Sequence, residues 1–383
     1  MSNTDKQTFS PEEVNAAMIL AQKKAAAQEA LNLCRIIWTE AMNTKESFGV
    51  DPQNVDEFIT IADKTIIDPS ATYVTPDSFL NDSECPVFVR GDFSIIEGKA
   101  KSRKTFLSSL LTALLLSGGN SEETKRFTIP TKPNKILWID TEQGAARTAR
   151  TLDRLKAKGA DTSNIIHSSM RELGAVGRFK TFTYLVALYR PEFILLDGVA
   201  DLMNNINDIP EAAMIRQLLL TVSANYGCHI SAVLHTNEKG DDSTARGQVG
   251  SELTRKCSTI LHLDAEGDYT KVTYTRTRDK KPEPFAFRID EVDYKDGREK
   301  IAVPNLAEID NLPKPRTNSE LESFEYLRDL CKGKQGGLQR KDLVNALLKK
   351  GLVKSTRSGE RRVDDATTLD YLERNNGFYY PKN

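Results

Sequence analysis

Length, charge and cysteine usage limit the classes to which this chain can belong. With 383 residues it exceeds one typical domain core, so we expect one large domain with smaller units at both ends. The 53 basic and 54 acidic side chains nearly cancel, which excludes attraction of nucleic acid by the whole protein and requires any basic surface to be local. Five scattered cysteines without metal-ligand spacing favour reduced thiols. The polar N-terminus and the short apolar runs predict a cytoplasmic protein that does not enter a membrane.

Residues 1–60 are expected to form an N-terminal helical segment. The run Ser10-Pro11-Glu12-Glu13 has the features of a helix start, because Ser caps, Pro suits the first turn and Glu completes a capping box. An Ala-rich helix should continue to about Met42. Its apolar residues predict one stripe that serves the chain's own core or a neighbouring subunit: Ile19, Leu20, Leu31, Cys34, Ile37 and Trp38. The irregular pattern from Val50 to Pro86 indicates a lead-in segment.

Residues 85–300 are expected to form an α/β domain with a mostly parallel central sheet. Short apolar runs alternate with helical stretches at Phe93 to Ile96, Ile136 to Ile139, Phe193 to Leu196, Ile230 to Leu234 and Thr259 to Leu263. Continuous apolar strands separated by helices are typical of a parallel sheet covered on both faces. The segments Val272 to Thr277 and Phe285 to Ile289 then predict a terminal hairpin.

The C-terminal part is expected to be a linker followed by a small domain. Residues 301–318 contain Pro304, Pro313 and Pro315 among polar residues, which is typical of a linker. Residues 319–383 show helical patterns at Glu320 to Leu330, Arg340 to Lys350 and Asp364 to Arg374. These patterns predict a winged-helix or helix-turn-helix unit.

A phosphate-binding loop is predicted between the first core strand and the helix Phe106 to Leu116. Its residues are Gly98, Lys99, Ala100, Lys101, Ser102, Arg103, Lys104 and Thr105. A triphosphate requires backbone N–H groups, a helix N-terminus, a Lys on the outer phosphates and a hydroxyl on Mg²⁺, and the last two residues fit those roles. Arg103 replaces the second glycine of the pattern GxxxxGK[ST], so it should either adopt an ordinary helical backbone or distort the loop. A degenerate, inactive loop therefore remains an alternative.

Three polar residues follow the next core strands. Glu142 comes after the strand Ile136 to Ile139, where a carboxylate can orient and deprotonate the attacking water. Asp197 ends an apolar strand in the Walker B pattern and is expected to hold Mg²⁺ together with Thr105. His235 ends the following strand, where it could sense the γ-phosphate. A purely structural histidine is almost as compatible with this position. ATP and Mg²⁺ are therefore the expected ligands.

These motifs, in this order, resemble the RecA-like hexameric helicases of the plasmid RepA and replicative DnaB types. The resemblance covers about 85 to 290, and it includes Arg246-Gly247 and Gly250-Ser251-Glu252-Leu253. The segment Tyr274-Thr275-Arg276-Thr277-Arg278 resembles the strand that reaches into a neighbouring subunit's nucleotide. The resemblance thus implies Arg276 and Arg278 as arginine fingers, with Arg255 a weaker candidate, and implies a ring, commonly a hexamer. Solvated surface arginines remain the alternative for this segment.

DNA is the expected macromolecular partner, either single-stranded or at a replication origin. Ten Lys or Arg residues lie between Lys332 and Arg362, against only Asp342 and Glu360. The first hypothesis is a helicase-like motor of a plasmid or other mobile element, where the element is implied only by the resemblance. The second is a nucleotide-switched DNA-binding regulator that moves nothing. The third is an assembly protein whose basic tail meets an acidic partner.

Overall fold

The chain forms two compact units, residues 1–309 and 310–383. The computed structural model describes residues 11–42, 65–73, 75–118, 125–237, 245–278, 280–295, 297, 299–307, 318–332, 334, 336–368 and 371–382. The first unit contains a mostly parallel sheet with helices, and the second contains helices and a short sheet. This confirms the predicted α/β class with a small C-terminal domain. Within these residues, no helix combines the length and apolar character that crossing a bilayer requires.

The secondary structure of the first unit builds one large sheet and one small one. In chain order the elements are α1 (Pro11–Met42), β1 (Ser78–Asp82), β2 (Cys85–Val89), β3 (Phe93–Gly98), α2 (Lys104–Ser117), β4 (Phe127–Thr128), β5 (Ile136–Asp140), α3 (Ala145–Ala157), β6 (Ile165–Ser169), α4 (Ala175–Tyr189), β7 (Phe193–Asp197), α5 (Ile209–Tyr226), β8 (His229–His235), α6 (Gly247–Lys256), β9 (Thr259–Glu266), β10 (Tyr269–Arg276), β11 (Phe285–Tyr294) and β12 (Glu299–Ala307). A short 3₁₀ turn, Val199–Leu202, follows β7.

The large sheet brings the predicted motif residues to one edge. Its order among the described strands is β12-β11-β10-β9-β3-β8-β7-β5-β6. Neighbours from β9 to β6 run parallel, whereas β9 to β12 are joined antiparallel, which includes the predicted hairpin. Because parallel strands end at the same edge, the loops after β3, β5, β7 and β8 meet there, where ligands of open α/β sheets bind.

The core strands are apolar throughout because both faces of the sheet are covered. On β7, Ile194 and Leu196 enter one hydrophobic cluster, while Phe193 and Leu195 enter the cluster on the opposite face. Trp138 of β5 is fully buried in that second cluster. This two-sided burial is why each strand appears in the sequence as a continuous apolar run rather than an alternating one.

The predicted apolar stripe of α1 is correct at Ile37, which is buried, and wrong at three other positions. Ile19, Leu20 and Leu31 are exposed, and the face that contacts α4 and α5 is Ala26, Ala30, Leu33 and Ile37. These four positions recur at steps of four, three and four, which follows one helical face, whereas Leu31 lies one position out of phase. Small alanines make half of the buried face and let the helix approach closely, so the larger side chains alone did not identify that face. Cys34 is half-buried, and the side chain of Trp38 lies outside the described residues.

Two expected irregular segments contain strands. Residues 78–89 form β1 and β2, which join β4 in the small sheet, although the lead-in was predicted to be irregular up to Pro86. Register shifts in the β1–β2 pair break the alternation that would have revealed it. Residues 301–307, expected in the linker, belong to β12. Because β12 is an edge strand, Pro304 removes no donor that the sheet interior requires.

The C-terminal unit combines three helices with a three-stranded sheet among its described residues. Its elements are α7 (Asn318–Cys331), β13 (Leu338–Gln339), α8 (Arg340–Lys350), α9 (Thr356–Thr368), β14 (Leu372–Asn375) and β15 (Phe378–Pro381), with the sheet order β13-β15-β14.

The third helix of this unit begins earlier than we predicted, and the strand β14 replaces its expected end. The Ser355 hydroxyl accepts from the backbone N–H of Ser358 at 3.2 Å, which caps the helix start. Asn376 and Gly377 both have positive φ, 48° and 84°, and form the tight turn between β14 and β15.

Candidate active site

The phosphate-binding loop connects the end of β3 to the start of α2. Arg103 adopts a left-handed backbone with φ 68° and ψ 27°, and Lys101 has φ 63°. Neither expectation for Arg103 is met, because the loop keeps a conformation that a glycine adopts easily, at a cost of about 1–2 kcal/mol for a residue with a side chain. The Arg103 guanidinium donates to Gly267 O at 2.6 Å and to Thr270 Oγ1 at 3.2 Å. These two bonds help to offset the backbone strain.

Lys104, the first residue of α2, points back under the loop. Its Nζ donates to Gly98 O at 3.0 Å and to Lys99 O at 2.9 Å, and it lies 3.3 Å from His235 Nδ1. The side chain is buried, and this burial lowers the pKa of its ammonium. An anion beside Lys104 would stabilise the buried positive charge.

His235 links Lys104 to Glu142. Its Nε2 lies 3.0 Å from Glu142 Oε1. Because the Lys104 ammonium can only donate, Nδ1 must accept, so the neutral imidazole with hydrogen on Nε2 satisfies both contacts. The hydrogen bond from His235 lowers the pKa of Glu142 despite its partial burial. The structure thus brings these three predicted site residues together and keeps Glu142 ionised.

Thr105, near the start of α2, contacts Asp197 at the carboxyl end of β7. The Thr105 hydroxyl donates to Asp197 Oδ2 at 3.0 Å. Burial, followed by the nearby carboxylates of Asp140 and Glu142, raises the pKa of Asp197 to about 7. The described residues contain no cluster of three or more His, Cys, Asp or Glu that could enclose a metal. A hydroxyl with one carboxylate is instead the small oxygen set that Mg²⁺ uses when water and phosphate complete its coordination.

A cavity of about 430 Å³ joins these residues. Its wall includes the loop from Lys101 to Thr105 together with Glu142, Asp197 and His235. The Ser102 hydroxyl beneath the loop is buried and finds no hydrogen-bond partner among the described residues. A Cβ at Gly98 would lie 2.5 Å from that hydroxyl, so only glycine fits there. These features fit a bound triphosphate, whose oxygens supply the acceptors that the loop lacks.

Asp140 and Thr141, which the sequence analysis did not single out, hold Glu142 in place. Asp140 Oδ1 accepts from the backbone N–H groups of Glu142 at 3.0 Å and Gln143 at 2.8 Å. The Thr141 hydroxyl donates toward Asp201 Oδ2 at 2.7 Å, and its N–H bonds Asp197 O. The signal available in the sequence was an Asp at the end of a strand. Such a side chain often accepts hydrogen bonds from the backbone N–H groups two and three residues later.

The outer wall of the cavity is a basic face of α3 that the sequence analysis also missed. Arg147, Arg150 and Arg154 line it together with Phe106. The Arg154 guanidinium lies 4.0 Å from the centroid of the Phe106 ring, and burial lowers its pKa to about 10. The arginines are spaced by three and four residues, which places them on one helical face and could have identified them.

Arg276 and Arg278 do not line this cavity. Arg276 donates to Thr254 O at 2.8 Å, and Arg278 forms a 3.0 Å ion pair with Asp92. Asp92 precedes β3 by one residue and Gly98 ends that strand, so the ion pair and the loop are about 20 Å apart along the strand. Both arginines therefore lie toward the amino ends of the parallel strands, whereas this chain's own nucleotide cavity lies at their carboxyl ends.

A buried histidine ties β9 to the strand that carries the loop. His262 Nδ1 lies 3.2 Å from Glu97 Oε1, and its Nε2 lies 3.4 Å from Asp264 Oδ1. Hydrogen bonds to Asp264 and then Glu97 raise the pKa of His262 to about 9. Because the folded pKa is above the unfolded value of about 6.5, this stabilisation is complete below pH 6.5 and is lost as the pH rises through 9.

Replacing His262 with Gln is therefore expected to destabilise the first unit more at pH 6 than at pH 10, with a difference of about 1–3 kcal/mol. Urea unfolding followed by tryptophan fluorescence measures it, since both tryptophans belong to this unit. His167→Gln is the matched control, because burial lowers the pKa of His167 to about 4 and keeps it neutral at both values. Equal destabilisation by His262→Gln at both pH values would contradict a charged His262.

One comparison with known proteins, a match to a family model, agrees with this geometry. A sequence model described as an AAA domain matches residues 82–241, which include the loop, Glu142, Asp197 and His235. No curated protein sequence matches the chain. Among solved structures, the crystal structure of the RadB recombinase has 18% identity, with 54% of this chain and 90% of that chain covered and a TM-score of 0.39. The AAA-domain match and the cavity together support the predicted P-loop nucleotide-binding domain and leave the RepA and DnaB subgroup unassigned.

Proposed function

We propose that the chain binds and hydrolyses ATP with Mg²⁺ and that it uses this cycle as a helicase-like motor on DNA. The observation that carries the proposal is the convergence of five side chains on one cavity: Lys104, Thr105, Asp197, Glu142 and His235. Each of these side chains has the chemistry that one part of ATP hydrolysis requires. Steady-state ATP hydrolysis with and without single-stranded DNA, for the wild type, Lys104→Ala and Glu142→Gln, tests the hydrolysis and its dependence on DNA together.

The residues divide the reaction among them. Lys104 holds the outer phosphates, and Glu142, kept ionised by His235, orients the attacking water and accepts its proton. Thr105 and Asp197 would hold Mg²⁺, which when bound neutralises charge on the phosphate oxygens. His235 contacts both Lys104 and Glu142, so the departure of the γ-phosphate would change these contacts. Because His235 ends β8, the change would alter the conformation of the chain at that position.

A ring is the assembly that would complete the site. Arg276 and Arg278 are too far from this chain's own cavity, so a role in hydrolysis requires delivery to a neighbouring subunit. We propose a homo-oligomer, commonly a hexamer in the resembled proteins, with ATP between subunits.

Arg278→Ala should therefore retain ATP binding and lose most turnover, by about 10³-fold. Fluorescent-nucleotide titration and steady-state hydrolysis measure the two quantities on the same sample. Arg288→Ala, an exposed arginine on β11, is the matched control and should hydrolyse normally. Full turnover in Arg278→Ala would remove this residue from the finger role.

The C-terminal unit offers a surface for DNA. Lys354 and Arg357 are exposed at the start of α9, and Arg361 is exposed one turn later. Two of the nearby acids are already paired, because Arg340 bonds Asp364 at 2.5 Å and Arg362 bonds Glu320 at 3.4 Å. The exposed cations are therefore available to phosphates, and we propose that α9 and the β14–β15 hairpin contact DNA in the manner of a winged helix.

Substituting Arg357 and Arg361 together with Ala should weaken DNA binding and reduce the magnitude of the salt slope, log Kd against log [salt], by about 1–2. Fluorescence anisotropy at several salt concentrations, with single-stranded and duplex DNA, measures both. Lys332→Ala provides the control, since that lysine is paired with Asp329 at 2.7 Å. An unchanged slope in the double variant would exclude these arginines from the DNA surface.

A role in replication or mobilisation of a plasmid or other mobile element is supported only by the resemblance of the motifs. The alternative is a nucleotide-switched DNA-binding regulator in the cytoplasm. Fork-substrate unwinding that depends on Glu142 would support the motor, whereas ATP-dependent binding without unwinding would support the regulator.

A further inference from the structure

Three cations contact β12, the edge strand of the central sheet: Arg150 and Arg154 of α3, and Lys158, the residue after that helix. Arg150 donates to Lys300 O at 3.2 Å, Arg154 to Ala302 O at 3.0 Å and Lys158 to Pro304 O at 3.0 Å. The donors are four residues apart and the acceptors two residues apart on β12. Four helical residues rise about 6 Å and two strand residues advance about 6.6 Å, so the two rows stay in register.

This row satisfies carbonyl groups that the edge strand β12 directs away from β11. Tyr294 at the end of β11 adds a further link, because its hydroxyl donates to Asp153 Oδ1 at 3.0 Å. The β11–β12 hairpin is thereby tied to α3 rather than left as an open edge. Any change in the position of the α3 arginines would reach this hairpin directly.

Two members of the row also line the nucleotide cavity, and the third does not. Arg150 and Arg154 belong to the cavity wall, whereas Lys158 lies outside it. Thr105, Asp197 and Glu142 mark the end that would hold the outer phosphates and metal. Phe106 and the two arginines form another part of the same wall, which leaves that part for the remainder of the nucleotide.

We propose that Arg150 and Arg154 bind the nucleoside end of the nucleotide, and that this contact couples nucleotide binding to the β11–β12 hairpin. The inference rests on the proposed ATP site. The Arg154 guanidinium lies over the Phe106 ring and offers a planar cation on which a base can stack, and both arginines donate to base or ribose oxygens and nitrogens. A bound nucleoside fixes both side chains and so strengthens their bonds to Lys300 O and Ala302 O.

The first test compares Mg-ATP with Mg-tripolyphosphate, which has the phosphates but no nucleoside. Binding of each ligand is measured by calorimetry for the wild type, Arg150→Gln, Arg154→Gln and Lys158→Gln. The two arginine variants should bind ATP about tenfold more weakly and tripolyphosphate normally. Lys158→Gln, which loses the same kind of strand contact, should bind both ligands like the wild type.

The outcomes separate this inference from the proposed function. Equal weakening of both ligands in the arginine variants would overturn nucleoside recognition, and so would ATP binding at the wild-type level. Failure of the wild type to bind either ligand would overturn the ATP site itself. Normal tripolyphosphate binding in a variant also shows that the variant is folded.

The second test measures the coupling by hydrogen exchange at residues 299–307. ATP should slow this exchange in the wild type and in Lys158→Gln, and it should have little effect in Arg154→Gln at a saturating ATP concentration. Tripolyphosphate should protect the strand in none of them. Equal protection by ATP and tripolyphosphate in the wild type would overturn the coupling through the nucleoside.

Discussion

Replacing Glu142 with Gln is expected to leave ATP binding intact and to reduce hydrolysis by about 10²–10⁴-fold. Gln keeps the shape of the side chain and can still accept from His235 Nε2, which lies 3.0 Å from the carboxylate. It cannot accept the proton of the attacking water, so the chemical step loses its base while the phosphate contacts remain. Steady-state hydrolysis and nucleotide titration on the same preparation measure the two effects.

Glu172→Gln is the control for this variant, because Glu172 is an exposed glutamate outside the cavity. It should hydrolyse ATP at the wild-type rate. Hydrolysis by Glu142→Gln within threefold of the wild type would exclude Glu142 as the base and would direct attention to Asp140, the carboxylate that supports it.

Replacing Lys104 with Ala is expected to weaken ATP binding at least about 100-fold and to abolish hydrolysis with it. Lys104 is buried and bonded to Gly98 O, Lys99 O and His235 Nδ1, so its ammonium is fixed before the nucleotide arrives. Its removal deletes the loop's buried cation and also frees His235 from its position. Titration with a fluorescent nucleotide in the presence of Mg²⁺ measures the affinity.

Lys99→Ala controls for the loss of one positive charge from the same loop. Lys99 is exposed, so solvent screens its charge and the affinity should fall less than about threefold. Comparable losses in the two variants would mean that general charge, rather than the fixed position of Lys104, determines binding. Unchanged affinity in Lys104→Ala would remove this lysine from the phosphate site.

The sheet and most of its edge residues could be predicted from the sequence because their signals are local. Each core strand is buried on both faces and therefore forms a continuous apolar run. Glu142, Asp197 and His235 lie at or beside the ends of those runs, Lys104 begins the helix that follows the first of them, and parallel strands bring their ends together. The spacing within the loop identified Lys104 and Thr105 although Arg103 departs from the pattern.

The features that were missed depend on contacts between distant segments. The pairing of β1 with β4 and the row from Arg150 to Lys158 along β12 join residues far apart in sequence. The buried face of α1 was only partly identified because two alanines, Ala26 and Ala30, make contacts there beside Leu33 and Ile37. Arg103 has a left-handed backbone, and the bonds that help to offset its strain come from Gly267 and Thr270, in another part of the chain.

The measurement that most directly tests the central claim is steady-state ATP hydrolysis with and without single-stranded DNA, for the wild type, Lys104→Ala and Glu142→Gln. A DNA-dependent motor predicts turnover that DNA stimulates in the wild type and that both variants lose, with ATP binding retained only in Glu142→Gln. Tight ATP binding by the wild type without turnover, with or without DNA, would contradict a motor and would instead support a nucleotide-controlled switch.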